Sequence, residues 1–229
     1  MSADRRTARI VGALFLAAMA SYMIGDALVE SVLDEPDQLA GLSTSSSRFA
    51  AGGVFMLLNS VAVIGIGVMV FPILERHSPR VAIGYFGTRL VEGIVLVVGV
   101  ISLLSLLTLS QSEPAVTGSA ASTWAVLAVG INDVAFQIAM FALGLGSLAF
   151  CGLLYRVELV PRWLAAWGFV GYAALLAGGL LEIFGHTALL TLSIPGGLFE
   201  LVFPLWLIGK GFNAPAERRR TEAMADLQR

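Results

Sequence analysis

Arg89 and Glu92 stand three residues apart inside an apolar run, 81–109, that is long enough to cross a bilayer. Tyr85 precedes Arg89 by four, so on a helix the three side chains share one face. A spanning helix takes about 20 mostly apolar residues, and an ionisable group in its interior is costly enough to mark a functional site. Other apolar runs hold Asp26, Asn59, Asn132, Asp133, Gln137, Glu182 and Glu200. Asp26, Glu92, Asp133, Glu182 and Glu200 together set five carboxylates against the one guanidinium of Arg89, which would leave four negative charges uncompensated if all were ionised. Like charges in a weakly polar medium disfavour joint ionisation, so some of these groups are expected to be protonated, hydrated or cation-bound. A carboxyl that keeps its proton is a general acid in waiting.

On this basis Glu92, Asp133 and Glu200 are the candidate catalytic residues. Arg89, Tyr85, Asn59, Gln137, Asp26, Glu182, Phe199 and Trp206 are the candidates for holding a substrate. Glu200 has the most unusual setting, between Pro195 and Pro204 and after Gly196 and Gly197. Proline removes a backbone donor, and interrupted membrane helices are tolerated where they are packed in protein or line a cavity. Phe199, Phe203 and Trp206 beside it, with Phe55, Tyr85, Phe86 and Phe136 on other runs, offer an aromatic lining. Each group also has a purely structural reading. Arg89 with Glu92 fits an ion pair between spans, and Asp133 with Gln137, at i and i+4, fits interhelical hydrogen bonding. Glu182 and His186 share a helical face, as a metal or proton-relay pair or as solvated groups at the outer interface. With His77, His186 and the lone Cys151 so dispersed, no metal site is expected, and no cofactor motif occurs.

The elements that must position these residues follow from composition. The 229 residues are 57% hydrophobic and 13% charged, against roughly 25% charged in a soluble domain. This is the composition of an all-α, polytopic membrane bundle. Six spans are expected near 8–31, 48–74, 81–109, 123–155, 163–186 and 190–212, forming one transmembrane domain over 1–212 with a tail at 213–229. Arg5, Arg6, Arg9, Arg76, Arg80, Arg156, Arg162, Lys210, Arg218, Arg219, Arg220 and Arg229 fall on one side of that layout, and Arg48 on the other. The positive-inside rule therefore puts both termini in the cytoplasm and the Asp34–Asp37 loop outside. A cleavable leader ending at Ala20 is the rival for span one, since Arg5 and Arg6 precede an apolar stretch; the helical pattern continuing to Leu33 favours a retained span. The net charge of −2, with no basic run interleaved with aromatics, excludes a nucleic-acid partner, and nothing specifies an oligomer. The preference for arginine over lysine suggests a bacterium with a GC-rich genome, hence its cytoplasmic membrane.

Several segments carry a resemblance: Ala8-Arg9-Ile10-Val11-Gly12, Arg89-Leu90-Val91-Glu92, Pro161-Arg162 with Gly171-Tyr172, and Glu200 followed by Leu205-Trp206-Leu207 and Lys210-Gly211. Together they resemble an uncharacterised family of small six-span bacterial membrane proteins, catalogued as a domain of unknown function. Span four departs from that pattern, with Asn132, Asp133 and Gln137 where a histidine is frequent. In outline the chain is also similar to small membrane-bound terpene cyclases, whose intramembrane carboxyls protonate an olefin or epoxide. The favoured reading is an enzyme of this kind, acting on a lipophilic, isoprenoid-like substrate from the bilayer. Proton- or cation-coupled transport is its alternative, and a sensor or assembly subunit without turnover is a third.

Overall fold

In the computed structural model, residues 3–34, 42, 44–111 and 119–213 are described. The 35–37 part of the acidic loop, the 112–118 loop and the basic tail from 214 lie outside them. Six long helices are present, and no strand occurs among the described residues: α1 (Ala3–Leu33), α2 (Ser46–Glu75), α3 (Pro79–Gln111), α4 (Ser119–Val157), α5 (Arg162–Ile183) and α6 (Leu189–Gly209). Each is long and apolar enough to cross a membrane. The protein is thus a multi-pass, all-helical membrane protein.

The ends of the last two spans differ from expectation. The sixth stops at Gly209, where Gly211 (φ 78°) turns its amide back to the Leu207 carbonyl at 3.0 Å. The fifth stops at Ile183, because Gly185 adopts φ 86°. The amides of Gly185 and His186 then donate to the carbonyls of Glu182 (2.9 Å) and Leu181 (3.0 Å), the paired bonds that close a helix C-terminus. His186 therefore sits past the helix end, and the shared helical face expected for Glu182 and His186 does not form.

Contacts gather the chain into two compact units. The first comprises Met1–Leu16, Gly65–Arg89 and Phe141–Arg229, and the second Ala17–Ile64 and Leu90–Met140. Among the described cations Arg5, Arg6, Arg9, Arg76, Arg80, Arg89, Arg156, Arg162 and Lys210 belong to the first unit, and Arg48 to the second. Along α3 the buried positions Ala82, Tyr85, Arg89, Glu92, Leu96, Val100 and Leu103 recur at steps of three and four, which is one packed stripe of a helix. The charged pair thus occupies the packing face of α3 and not its lipid-facing side, where Ile83, Val91, Ile94 and Val98 are exposed.

In the first unit α5 and α6 meet backbone to backbone. A Cβ on Gly171 would lie 2.9 Å from both the Cα and the amide nitrogen of Gly196, so only glycine lets the two helices approach this closely. A Cβ on Gly146 of α4 would likewise collide with the Thr88 hydroxyl of α3. In the second unit Val29, Val32, Phe49, Met56, Val100 and Leu103 form the centre of an apolar core.

Candidate intramembrane polar site

The first unit holds an ionic and aromatic cluster in its interior. Arg89 is 3% exposed. Its Nε donates to the Tyr85 hydroxyl at 3.0 Å, one helical turn earlier, and its guanidinium lies 5.2 Å from the ring centres of both Phe15 and Tyr85. A cation over two aromatic faces recovers part of its lost hydration from the ring quadrupoles, by about 2 kcal/mol or more when desolvated. Gly67 of α2 permits this arrangement, since a Cβ there would come within 3.0 Å of the Arg89 Cβ.

From Tyr85 a chain of ring contacts leads away. Tyr85 stacks on Phe150 (4.6 Å), Phe150 meets Phe203 edge-on (5.8 Å), Phe203 stacks on Phe199 (5.1 Å), and Phe199 meets Tyr172 edge-on (5.7 Å). At the far end the Tyr172 hydroxyl donates to Oε1 of Glu200 at 2.8 Å. The charge of Arg89 is felt at Glu200, Tyr172 and Cys151, so the two ends belong to one electrostatic environment. Glu200 is partly buried, and it stands eleven residues into α6, about 16 Å along the axis and so near mid-bilayer. Pro204 has no N–H to offer the Glu200 carbonyl four residues before it, which frees one acceptor in the same turn. The indole of Trp167 donates to the Pro195 carbonyl at 3.1 Å, fixing the other proline to α5.

The second unit presents a different polar set. Tyr22, Asn59 and Asn132, with Met56, Leu96 and Phe136, line a cavity of about 10 Å³, the room needed for one water. Asn59 is 6% exposed, and Tyr22 stacks on Phe136 at 5.4 Å. Asp26 and Asp133 both act electrostatically on Tyr22, and Asp133 on Asp26. Asp26 is partly buried, whereas Asp133 is on the exposed side of α4 beside Val134. Gln137 follows one turn on and is partly buried. Glu92, 2% exposed, belongs to this unit and is engaged by a partner.

Residues 10–211 match the profile of a family described as Domain of unknown function (DUF4386). The chain belongs to that family. The match runs from the second turn of α1 to just past α6 and so includes both polar sets. No curated protein and no solved structure matches the chain.

Of the candidate residues in this DUF4386 protein, the first unit brings together Tyr85, Arg89, Phe199 and Glu200. Trp206 packs edge-on against Trp163 (6.3 Å), and Glu182 stands in the last turn of α5. Asp26, Asn59, Glu92, Asp133 and Gln137 fall in the second unit. Several participants carry no charge and were not among the candidate site residues. Tyr172 is the direct partner of Glu200, Phe15 and Phe150 complete the ring chain, and Tyr22 and Asn132 shape the small cavity. Tyr172 was detectable as a hydroxyl next to Gly171 in an otherwise apolar span; the phenylalanines carry no sequence signal that separates them from packing. Ser147 adds a wholly buried hydroxyl with no hydrogen-bond partner among the described residues, one turn before Cys151 on α4.

The arrangement can hold a proton on Glu200 and receive it back. When the carboxyl gives up a proton, the anion left behind already has a hydroxyl donor at 2.8 Å and a guanidinium within electrostatic range, so little reorganisation accompanies the transfer.

Proposed function

We propose that this protein is an integral membrane enzyme in which Glu200 is the general acid toward a lipophilic, isoprenoid-like substrate. The observation that carries the reading is the Tyr172–Glu200 hydrogen bond set near mid-bilayer within range of Arg89. In the proposed step the Glu200 O–H bond breaks and a C–H bond forms at an olefinic carbon of the substrate. The resulting carbocation closes onto a second double bond, then sheds a proton that returns to the Glu200 carboxylate. Substrate and product are isomers, and no co-reactant is consumed. Tyr172 steadies the carboxylate between the two transfers, and Arg89 balances its charge. Glu92 and Asp133 are assigned secondary roles, because each belongs to the second unit. We place both termini on the cytoplasmic side, from the concentration of arginines in the first unit.

Proton- or cation-coupled transport is the second reading, and the water-sized cavity between Asn59 and Asn132 beside Asp26 and Asp133 favours it. One pair of assays separates the two. Purified protein is incubated with polyprenyl alcohols and their epoxides, and the products are resolved by mass and retention time. The same protein in liposomes is tested for pH-driven flux. Isomerisation abolished by Glu200→Gln, without flux, supports the enzyme. Flux abolished by Glu200→Gln or Asp133→Asn, without isomerisation, replaces it with the transporter.

A further inference from the structure

Two adjoining grooves open on the first unit, of about 360 and 550 Å³, and share Gly152, Arg156 and Phe169. Both are within the size range of ligand sites, roughly 300–1,000 Å³. One runs between α4 and α5 over Cys151, Ala166 and Val170, and its walls are apolar below Tyr155 and Arg156. The other adds His77 and Ser78 from the turn between α2 and α3. Neither is lined by a carboxylate. Arg156 is exposed, and no hydrogen bond or ion pair engages it among the described residues. Its neighbour Arg162 is by contrast tied to Glu158 at 2.9 Å and lies 5.5 Å from the centre of the Tyr155 ring.

The level of the grooves in the bilayer follows from the exposed aromatics. Tyr155 and Trp163 are 44% and 55% exposed, the residue types that settle at the headgroup boundary. Arg156 is therefore at phosphate depth, and Cys151, five residues earlier on α4, is about 7 Å deeper among the acyl chains. Gly152 keeps the groove continuous. A Cβ there would meet nothing within 4 Å, so no neighbouring helix demands a glycine that is unfavourable in a helix relative to alanine.

We propose that this face binds an anionic phospholipid, its phosphate on Arg156 and one acyl chain laid in the α4–α5 groove toward Phe169 and Val170. A zwitterionic lipid brings its own cation to its phosphate and gains less from Arg156. A soluble anion has no use for the apolar floor.

The test uses the full chain in mild detergent, with native mass spectrometry and thermal denaturation after addition of phosphatidylglycerol or phosphatidylcholine with identical acyl chains. Phosphatidylglycerol should be retained about fivefold better, the ratio that corresponds to about 1 kcal/mol per arginine at the membrane surface. It should also raise Tm further. Arg156→Gln should erase the preference and Arg156→Lys should keep it. Gly152→Leu should lower retention of both lipids by filling the groove, and Ala166→Leu fills it from α5 if the first variant misfolds. Equal retention of the two lipids, a preference that survives Arg156→Gln, or equal protection by inorganic phosphate would each overturn the proposal. No turnover is read, so the outcome is independent of the role assigned to Glu200.

Discussion

The two units make opposite use of the same scarce resource, polar side chains inside apolar helices. In the first, Arg89 and Glu200 each hydrogen-bond a tyrosine hydroxyl, and a chain of ring contacts runs between the two tyrosines. In the second, Asn59, Asn132 and Tyr22 surround a cavity of about 10 Å³, a polar space with room for one water. The difference teaches where each unit is brittle. The chain of packed rings is sensitive to the loss of any one member, whereas the small cavity leaves the amides around it room to adjust.

Substitutions can break that contrast. The largest effect is expected from Gly171→Val, which forces a side chain into the Gly196 backbone; it should destabilise the protein by about 3 kcal/mol or more in reversible unfolding from mixed micelles. Gly130→Ala in the second unit, where a Cβ meets nothing within 4 Å, is the matched control and should be neutral or slightly stabilising. Next comes Arg89→Leu, which leaves the Tyr85 hydroxyl without its donor and the rings of Phe15 and Tyr85 without a cation; a loss of about 2–4 kcal/mol is expected by the same unfolding assay. If Asp133→Asn on the exposed side of α4 costs as much, the distinction between the units fails.

Tyr172→Phe should cost about 1 kcal/mol, in the range of hydrogen bonds between membrane helices, and should reduce turnover more than stability. The smallest effect belongs to Asn59→Leu, which replaces the buried amide with methyl groups beside the small cavity and should shift stability by less than about 1 kcal/mol. A larger loss there would mean that the second unit is as tightly committed as the first.

Much of this was legible in the sequence, for definite reasons. Six spans follow from apolar length alone, and the pairing of Tyr85 with Arg89 follows from their spacing of four. The special standing of Glu200 follows from the two prolines around it. What could not be read is which helix faces which. Tyr172 becomes the partner of Glu200 only because Gly171 and Gly196 let α5 and α6 touch, and two glycines 25 positions apart do not announce that they meet. The helix α5 ends at Ile183, three residues before the approximate end of the apolar run, since the turn at Gly185 leaves no mark in hydropathy. Asp133 and Glu200 were both candidate intramembrane acids, yet one is exposed on α4 and the other accepts a hydrogen bond from a tyrosine.

We propose that Glu200 carries a proton that it can give away. Infrared spectra of the purified protein at neutral pH, recorded in H₂O and D₂O, test it most directly. A protonated-carboxyl band is expected that shifts in D₂O, disappears in Glu200→Gln and moves in Tyr172→Phe. A spectrum in which no such band depends on Glu200 would contradict it.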